Sequence, residues 1–221
     1  MNTTLATQWH HLTAPVVPDE ARREAMLHQL TAAYTASGRH YHTLQHVQTL
    51  LEAVQRAAAT LHDAAAVQLA VWFHDAVYNP LRDDNEARSA ALALKFLAES
   101  TWPSARQQRV AHLIERTKDH TQPPPADDTD LHLFLDADLG ILGTSETNYW
   151  QYARQVRQEY HLVPDFLYQR GRCKVLAKLL TTPVLYQTEH YRTRLEAAAR
   201  HNLHAELLAW ERGFPPELRN H

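Results

Sequence analysis

Side chains that are suited to metal binding recur in three separate segments of the chain. They are His42 and His46 in YHTLQH, His74 and Asp75 in WFHDAVY, and Asp136 and Asp138 in DADL. A site built from imidazole nitrogens and carboxylate oxygens favours Mn, Fe, Co, Ni or Zn over calcium, which prefers oxygen ligands alone. The sequence therefore predicts one divalent-metal site, and such a site can activate water for hydrolysis.

The spacing within two of these segments is compatible with a shared site on helices. His42 and His46 are four residues apart, so they lie on one face if this segment is helical. His74 and Asp75 are adjacent and point about 100° apart on a helix, but an ion between two turns is within reach of both. The spacing permits a common ion without requiring it.

The elements that position these residues are predicted to be helices only. The chain has 5 glycines in 221 residues, and its apolar residues recur near the 3.6-residue helical period. We predict helices over residues 19–37, 41–59, 64–78, 85–100, 103–119, 131–142, 147–160, 165–180 and 184–209. The proline-rich segment QPPPADDTD is the longest predicted loop, and no repeat or interdomain linker is visible. We therefore expect an all-α protein with a single domain over residues 1–221.

Composition excludes several functional classes. The net charge of -3 argues against a general electrostatic grip on nucleic acid. Cys173 is the only cysteine, so neither a disulfide framework nor a thiolate zinc site can form within the chain. No apolar run approaches the roughly 18 residues that a membrane span needs, and no basic-then-apolar leader is present. We expect a cytoplasmic protein without membrane contact.

The order of His46, His74-Asp75 and Asp138 resembles the HD-domain superfamily of metal-dependent phosphohydrolases. More narrowly, RHYHTLQHV, AVWFHDAVYNP, NEARSA, ERTKDH and FLDADLGILG resemble a bacterial group of predicted metal-dependent HD phosphohydrolases, over residues 20–210. This resemblance implies an HD-type helical bundle. Its metal-binding core would span residues 38–145, with C-terminal helices over 147–210 packing on it. The last of these helices carries leucines that complete the core or form a homodimer contact, and we favour the core.

The resemblance also implies roles for individual residues. The implied metal ligands are His46, His74, Asp75 and Asp138. Asp138 is preferred to Asp136 because it matches the final aspartate of the superfamily and shares a helical face with apolar residues. Asp75 and Glu86 are the implied catalytic residues, although a glutamate early in a helix also interacts with the helix dipole. The implied substrate-binding residues are Arg39, His42, Lys118 and His120. Long cationic side chains of this kind are often simply solvated.

The activity implied by this ligand set is attack of metal-activated water on a phosphomonoester or phosphoanhydride. The expected cofactor is a divalent ion, either Mn, Mg, Co, Ni, Fe or Zn, and the expected substrate is a small phosphorylated molecule, with a nucleotide as the leading class. Two alternatives stay open. One is an HD-type di-iron oxygenase, in which His42, His112 and His120 help to bind a second metal. The other is a noncatalytic sensor that binds a nucleotide or a metal.

Overall fold

The computed structural model describes residues 3–218, and all regular secondary structure in this range is helical. Ten α-helices follow one another: α1 (Thr3–Thr13), α2 (Glu20–Tyr34), α3 (Leu44–Arg56), α4 (Ala64–Phe73), α5 (Asn85–Leu97), α6 (Ser104–Arg116), α7 (Thr129–Asp138), α8 (Glu146–Glu159), α9 (Asp165–Thr181) and α10 (Glu189–Glu211). Short 3-10 turns cover Ala58–Thr60, Leu139–Gly143 and Pro216–Leu218. The prediction of an all-α protein is confirmed. Within residues 3–218, no helix combines the length and the apolar character needed to cross a membrane.

Two helix ends differ from the prediction at positions that matter for the site. α3 begins at Leu44, with the Thr43 hydroxyl accepting a hydrogen bond from the Gln45 amide, so His42 precedes the helix. α4 ends at Phe73, which leaves His74 at the helix end and Asp75 in the turn that follows. Two predictions are therefore wrong. His42 and His46 do not share a helix face, and α4 does not extend to residue 78. α1 was not predicted.

The first hydrophobic core lies among α1 to α7. Its centre is α4, where every residue from Leu69 to Phe73 is buried, as expected for a short helix that is apolar on all sides. The indole of Trp9 from α1 packs at 5.2 Å, ring centre to ring centre, against Trp72. Asp63 caps the start of α4 by accepting a hydrogen bond from the Ala66 amide. The end of α4, which carries His74, is thus held inside this core.

A second hydrophobic core is formed by α8, α9, α10 and the Leu139–Gly143 turn. Gly143 makes a close approach to α10, since a Cβ placed on it would lie 2.8 Å from the Leu195 carbonyl oxygen. Tyr191 of α10 packs against both cores. The C-terminal helices are therefore in direct contact with the helices that carry the histidines. The predicted division at about residue 145 stays a prediction.

Candidate metal centre

Four side chains meet at one point, and they come from α3, from the end of α4 and the turn that follows it, and from α7. The Nε2 atoms of His46 and His74 are 3.2 Å apart. The Asp75 carboxylate lies 3.0 Å from His74 Nε2 and 3.8 Å from His46 Nε2, and the Asp138 carboxylate lies 3.2 Å from His46 Nε2 and 3.8 Å from His74 Nε2. The His46, His74 and Asp75 ligand atoms are grouped closely enough to hold one metal ion. We call these four residues the His/Asp cluster.

The separations within the His/Asp cluster fit a shared ion. Two ligand atoms that each lie about 2.1 Å from one metal, at angles of about 90° to 110°, are about 3.0 to 3.4 Å apart. Three of the five measured separations, at 3.0, 3.2 and 3.2 Å, fall in this range. The donor set, two neutral imidazoles and two carboxylates, is one that divalent transition metals accept. The residues present therefore fit a divalent metal.

Each histidine and aspartate of the cluster is oriented by the local backbone. His74 Nδ1 lies 2.9 Å from the Val71 carbonyl oxygen and donates to it, which leaves Nε2 directed at the cluster. His46 lies in the first turn of α3 and Asp138 is the last residue of α7. The turn after α4 projects Asp75 towards His74 instead of carrying it around a helix. The four side chains therefore come from different parts of the chain, and they do not have to share one helix face.

The charges in the His/Asp cluster depend strongly on each other. Burial would lower the pKa of His74, but the neighbouring carboxylates Asp75 and Asp138 raise it to about 9. Burial would raise the pKa of Asp75, yet His74 and His42 hold it well below its usual range. The pKa of Asp138 is lowered too, because hydrogen bonds from His120 and His46 outweigh its burial. A metal entering at neutral pH therefore has to displace a proton from His74.

The two candidate aspartates of DADL make different contacts. Asp136 is fully buried and its carboxylate accepts hydrogen bonds from the Gln187 amide and from the amide and hydroxyl of Thr188, at the start of α10. Asp138, two residues further along α7, has its carboxylate 3.2 Å from His46 Nε2. The structure therefore places Asp138, and not Asp136, beside the histidines.

His42 and His120 both lie next to the cluster. His42 Nδ1 lies 2.7 Å from a Glu159 oxygen, and its ring stacks at 4.5 Å from the Tyr78 ring. Burial lowers the pKa of His42, but Asp75 and Glu159 raise it overall. His120 Nε2 lies 3.0 Å from the second Asp138 oxygen, and its buried Nδ1 has no hydrogen-bond partner among the described residues.

Glu159 is a site residue that the sequence did not reveal. Its side chain is fully buried and accepts hydrogen bonds from three consecutive amides, those of His40, Tyr41 and His42, and from the Tyr78 hydroxyl. Burial raises its pKa, but His42 and these amides lower it to about 2. Glu159 thereby joins α8 to the segment that leads into α3. It lies in a polar helix outside any motif, so no sequence signal distinguished it.

Arg39 and Glu86 lie apart from the ligand atoms. The Arg39 guanidinium donates to the carbonyl oxygens of His42, Asp75 and Ala76 and lies 5.1 Å from the Tyr78 ring centre. Arg39 therefore supports the turn that carries Asp75. Glu86 stands in the first turn of α5, and no hydrogen bond or ion pair within residues 3–218 joins it to the cluster.

A cavity of about 480 Å³ opens beside the cluster, and we call it the cationic cavity. Its wall includes Asp138, His42 and His120 together with Lys118 and Lys178. The Lys118 ammonium donates to the Asp83 carbonyl, and the Lys178 ammonium lies 2.8 Å from Asp119. Both lysines are solvent-exposed and can exchange these contacts for a ligand. Three of the four predicted substrate-binding residues, His42, Lys118 and His120, therefore line the same cavity.

Comparisons with protein-family models, with curated proteins and with solved structures find no match to this chain.

Proposed function

We propose that this protein is a metal-dependent phosphohydrolase that acts on a small phosphorylated molecule, with a nucleotide as the leading substrate class. One observation carries the proposal: Asp138, whose carboxylate lies 3.2 Å from His46 Nε2, lines a cavity that also presents Lys118, His120 and His42. Metal ligands beside cationic groups suit a phosphate ester, because its negative oxygens can face both. The motif order of the HD-domain superfamily supports the same activity.

In this proposal His46, His74, Asp75 and Asp138 hold the divalent ion. Such an ion, when bound, lowers the pKa of a water molecule to near neutrality and polarises a phosphoryl oxygen. The ion's identity among Mn, Mg, Co, Ni, Fe and Zn is left to measurement. The Val71 carbonyl keeps His74 in the tautomer that presents a lone pair at Nε2, and Arg39 keeps the Asp75 turn in place.

The remaining residues bind the phosphate and manage protons. The Lys118 ammonium and the imidazoles of His120 and His42 offset the charge on the phosphoryl oxygens. His42 donates from Nδ1 to Glu159, so its Nε2 is left to interact with the substrate. Glu86 makes no contact with the cluster, so the proton role falls to Asp75 in this proposal. Its oxygen lies 3.0 Å from His74 Nε2.

The test combines elemental analysis with phosphate release from a nucleotide panel, using each of the six metals in turn. Asp75→Asn should bind less metal and release no phosphate, whereas the matched carboxylate-to-amide change Glu86→Gln should retain both. Absence of metal from the wild-type protein would overturn the proposal. Bound metal without any phosphate release would also overturn it and would direct attention to oxygen chemistry or to sensing.

A further inference from the structure

A second cavity adjoins the His/Asp cluster. It measures about 420 Å³, lies between α3, α8 and the Leu139–Gly143 turn, and includes His46 in its wall. The two cavities share Tyr41, Ile141 and Tyr152, and the rings of the two tyrosines meet edge to face with their centres 4.7 Å apart. Each cavity therefore has one cluster residue in its wall, Asp138 in the cationic cavity and His46 in the second cavity.

Four side-chain carboxamides lie among the residues that line the second cavity, which we call the amide cavity. They are Gln45 of α3 and Asn148, Gln151 and Gln155 of α8. On α8 their spacing of three and four residues places the three side chains on one helix face. Within residues 3–218 no hydrogen bond engages any of these four amides. These carboxamides, which belong to exposed or half-buried residues, can therefore offer their donors and acceptors to a ligand in this cavity.

The charge of the amide cavity contrasts with that of the cationic cavity. Its threonine hydroxyls are already bonded locally, as Thr49 donates to the Gln45 carbonyl and Thr144 to the Ile141 carbonyl. Arg56, at the edge, lies 4.0 Å from Glu52, and the other lining side chains are neutral or histidines. The cationic cavity is therefore better suited to a phosphate. The amide cavity is better suited to an uncharged group that is rich in hydrogen-bonding atoms.

We infer that the amide cavity binds the nucleoside part of the substrate while the cationic cavity binds its phosphate. A carboxamide offers both a donor and an acceptor, which matches the edge of a nucleobase and the hydroxyls of a ribose. Two half-buried aromatic residues, Tyr152 and Tyr191, also line this cavity and are suited to contact a planar base. The volume of about 420 Å³ falls within the range of about 300 to 1,000 Å³ that is typical of small-molecule sites. This inference rests on the proposed function, and it adds the residues that select the substrate.

The experiment measures binding of phosphate-free nucleosides and of the corresponding 5′-monophosphates by calorimetry, with wild-type protein and variants. At least one of adenosine, guanosine, cytidine and uridine should bind, and the double variant Gln151→Leu/Gln155→Leu should bind it at least tenfold more weakly. Gln158→Leu is the matched control, because it lies on the same helix but lines a different cavity. Lys118→Ala should weaken binding of the monophosphate and leave nucleoside binding unchanged. Circular dichroism checks that each variant is folded.

The outcomes separate this inference from the proposed function. If no nucleoside binds, and Gln151→Leu/Gln155→Leu releases phosphate from a nucleotide as fast as wild type does, the inference about the amide cavity is overturned. The proposed phosphohydrolase activity then stands. If a nucleoside binds and this binding depends on the two glutamines, but no nucleotide releases phosphate, the inference about the amide cavity is supported. The proposed phosphohydrolase activity is then overturned. Equal losses in the double variant and in Gln158→Leu would show a general effect on α8 and would overturn the inference.

Discussion

Two buried polar clusters differ in how completely their charges are compensated. Glu206 of α10 is fully buried, yet Arg172 donates two hydrogen bonds of 2.8 Å to it, and Tyr149 and Trp210 donate two more at 2.6 and 3.1 Å. In the His/Asp cluster, by contrast, two imidazole Nε2 atoms lie 3.2 Å apart and both face carboxylates. At most one of the two nitrogens can donate to the other.

This difference separates a carboxylate with a structural role from a carboxylate that is available to a ligand. Burial alone does not distinguish them, since Asp130 and Asp136 are also buried. Asp130 accepts hydrogen bonds from the His62 and Asp63 amides, and Asp136 accepts them at the start of α10. In both cases hydrogen-bond donors of the protein compensate the buried carboxylate. The His/Asp cluster could instead hold a metal ion, and each prediction below changes one side of this contrast.

The largest expected effect is on the Glu206 network. Glu206→Ala leaves the Arg172 guanidinium buried without a counter-charge, and we expect the free energy of unfolding to fall by about 3 to 5 kcal/mol. Urea denaturation followed by circular dichroism measures this. The double variant Arg172→Met/Glu206→Leu removes both charges and should recover most of the loss. A loss below about 1 kcal/mol in the single variant would show that the network is not a closed ion pair.

The next effect concerns the metal. Asp75→Asn removes one ligand charge, and we expect metal affinity to fall by more than about 100-fold, or about 2.7 kcal/mol. Competition with a chromophoric chelator measures the affinity. Metal at about 100 times its Kd should stabilise the wild-type protein by about 2.7 kcal/mol and the variant much less. Equal affinities in the two proteins would exclude Asp75 as a ligand.

A smaller effect appears in the pH dependence of stability. The folded pKa of Glu159 is lowered from 4.5 to about 2, so its stabilising contribution is present above about pH 4.5 and is lost as the pH falls towards 2. We expect the free energy of unfolding of the wild-type protein to exceed that of Glu159→Gln by about 2 to 3 kcal/mol at pH 6 and by much less at pH 3. Denaturation curves at both values provide the comparison. A difference that stays constant with pH would show that Glu159 does not titrate as proposed.

The smallest effect tests which aspartate of DADL is the ligand. Asp136→Ala removes the hydrogen bonds to Gln187 and Thr188 at the start of α10, and it should cost about 1 to 2 kcal/mol of stability. Metal affinity should not change, because Asp136 faces away from the histidines. Both quantities are measured as for the variants above. An affinity loss comparable with that of Asp75→Asn would assign the metal to Asp136 instead of Asp138.

The candidate site was partly predictable. The sequence identified His46, His74, Asp75 and Asp138, because imidazoles and carboxylates in apolar segments are conspicuous and their order resembles a known motif. It missed Glu159, whose partners are backbone amides of a segment more than 100 residues away. It also assigned Arg39 to substrate, whereas its guanidinium contacts carbonyl oxygens that carry no signal in a sequence. Bonds to the backbone are therefore the part of a site that side-chain types do not indicate.

The chain sequence alone determined that the protein is helical and which kinds of atoms can bind a metal, because helical periodicity and ligand chemistry are local properties. Only the tertiary structure decided that α4 ends before His74, that Asp138 rather than Asp136 faces the histidines, and that α8 completes both cavities. These outcomes depend on how helices far apart in the chain pack against one another. Packing of that kind sets separations such as the 3.2 Å between His46 and His74, which lie 28 residues apart.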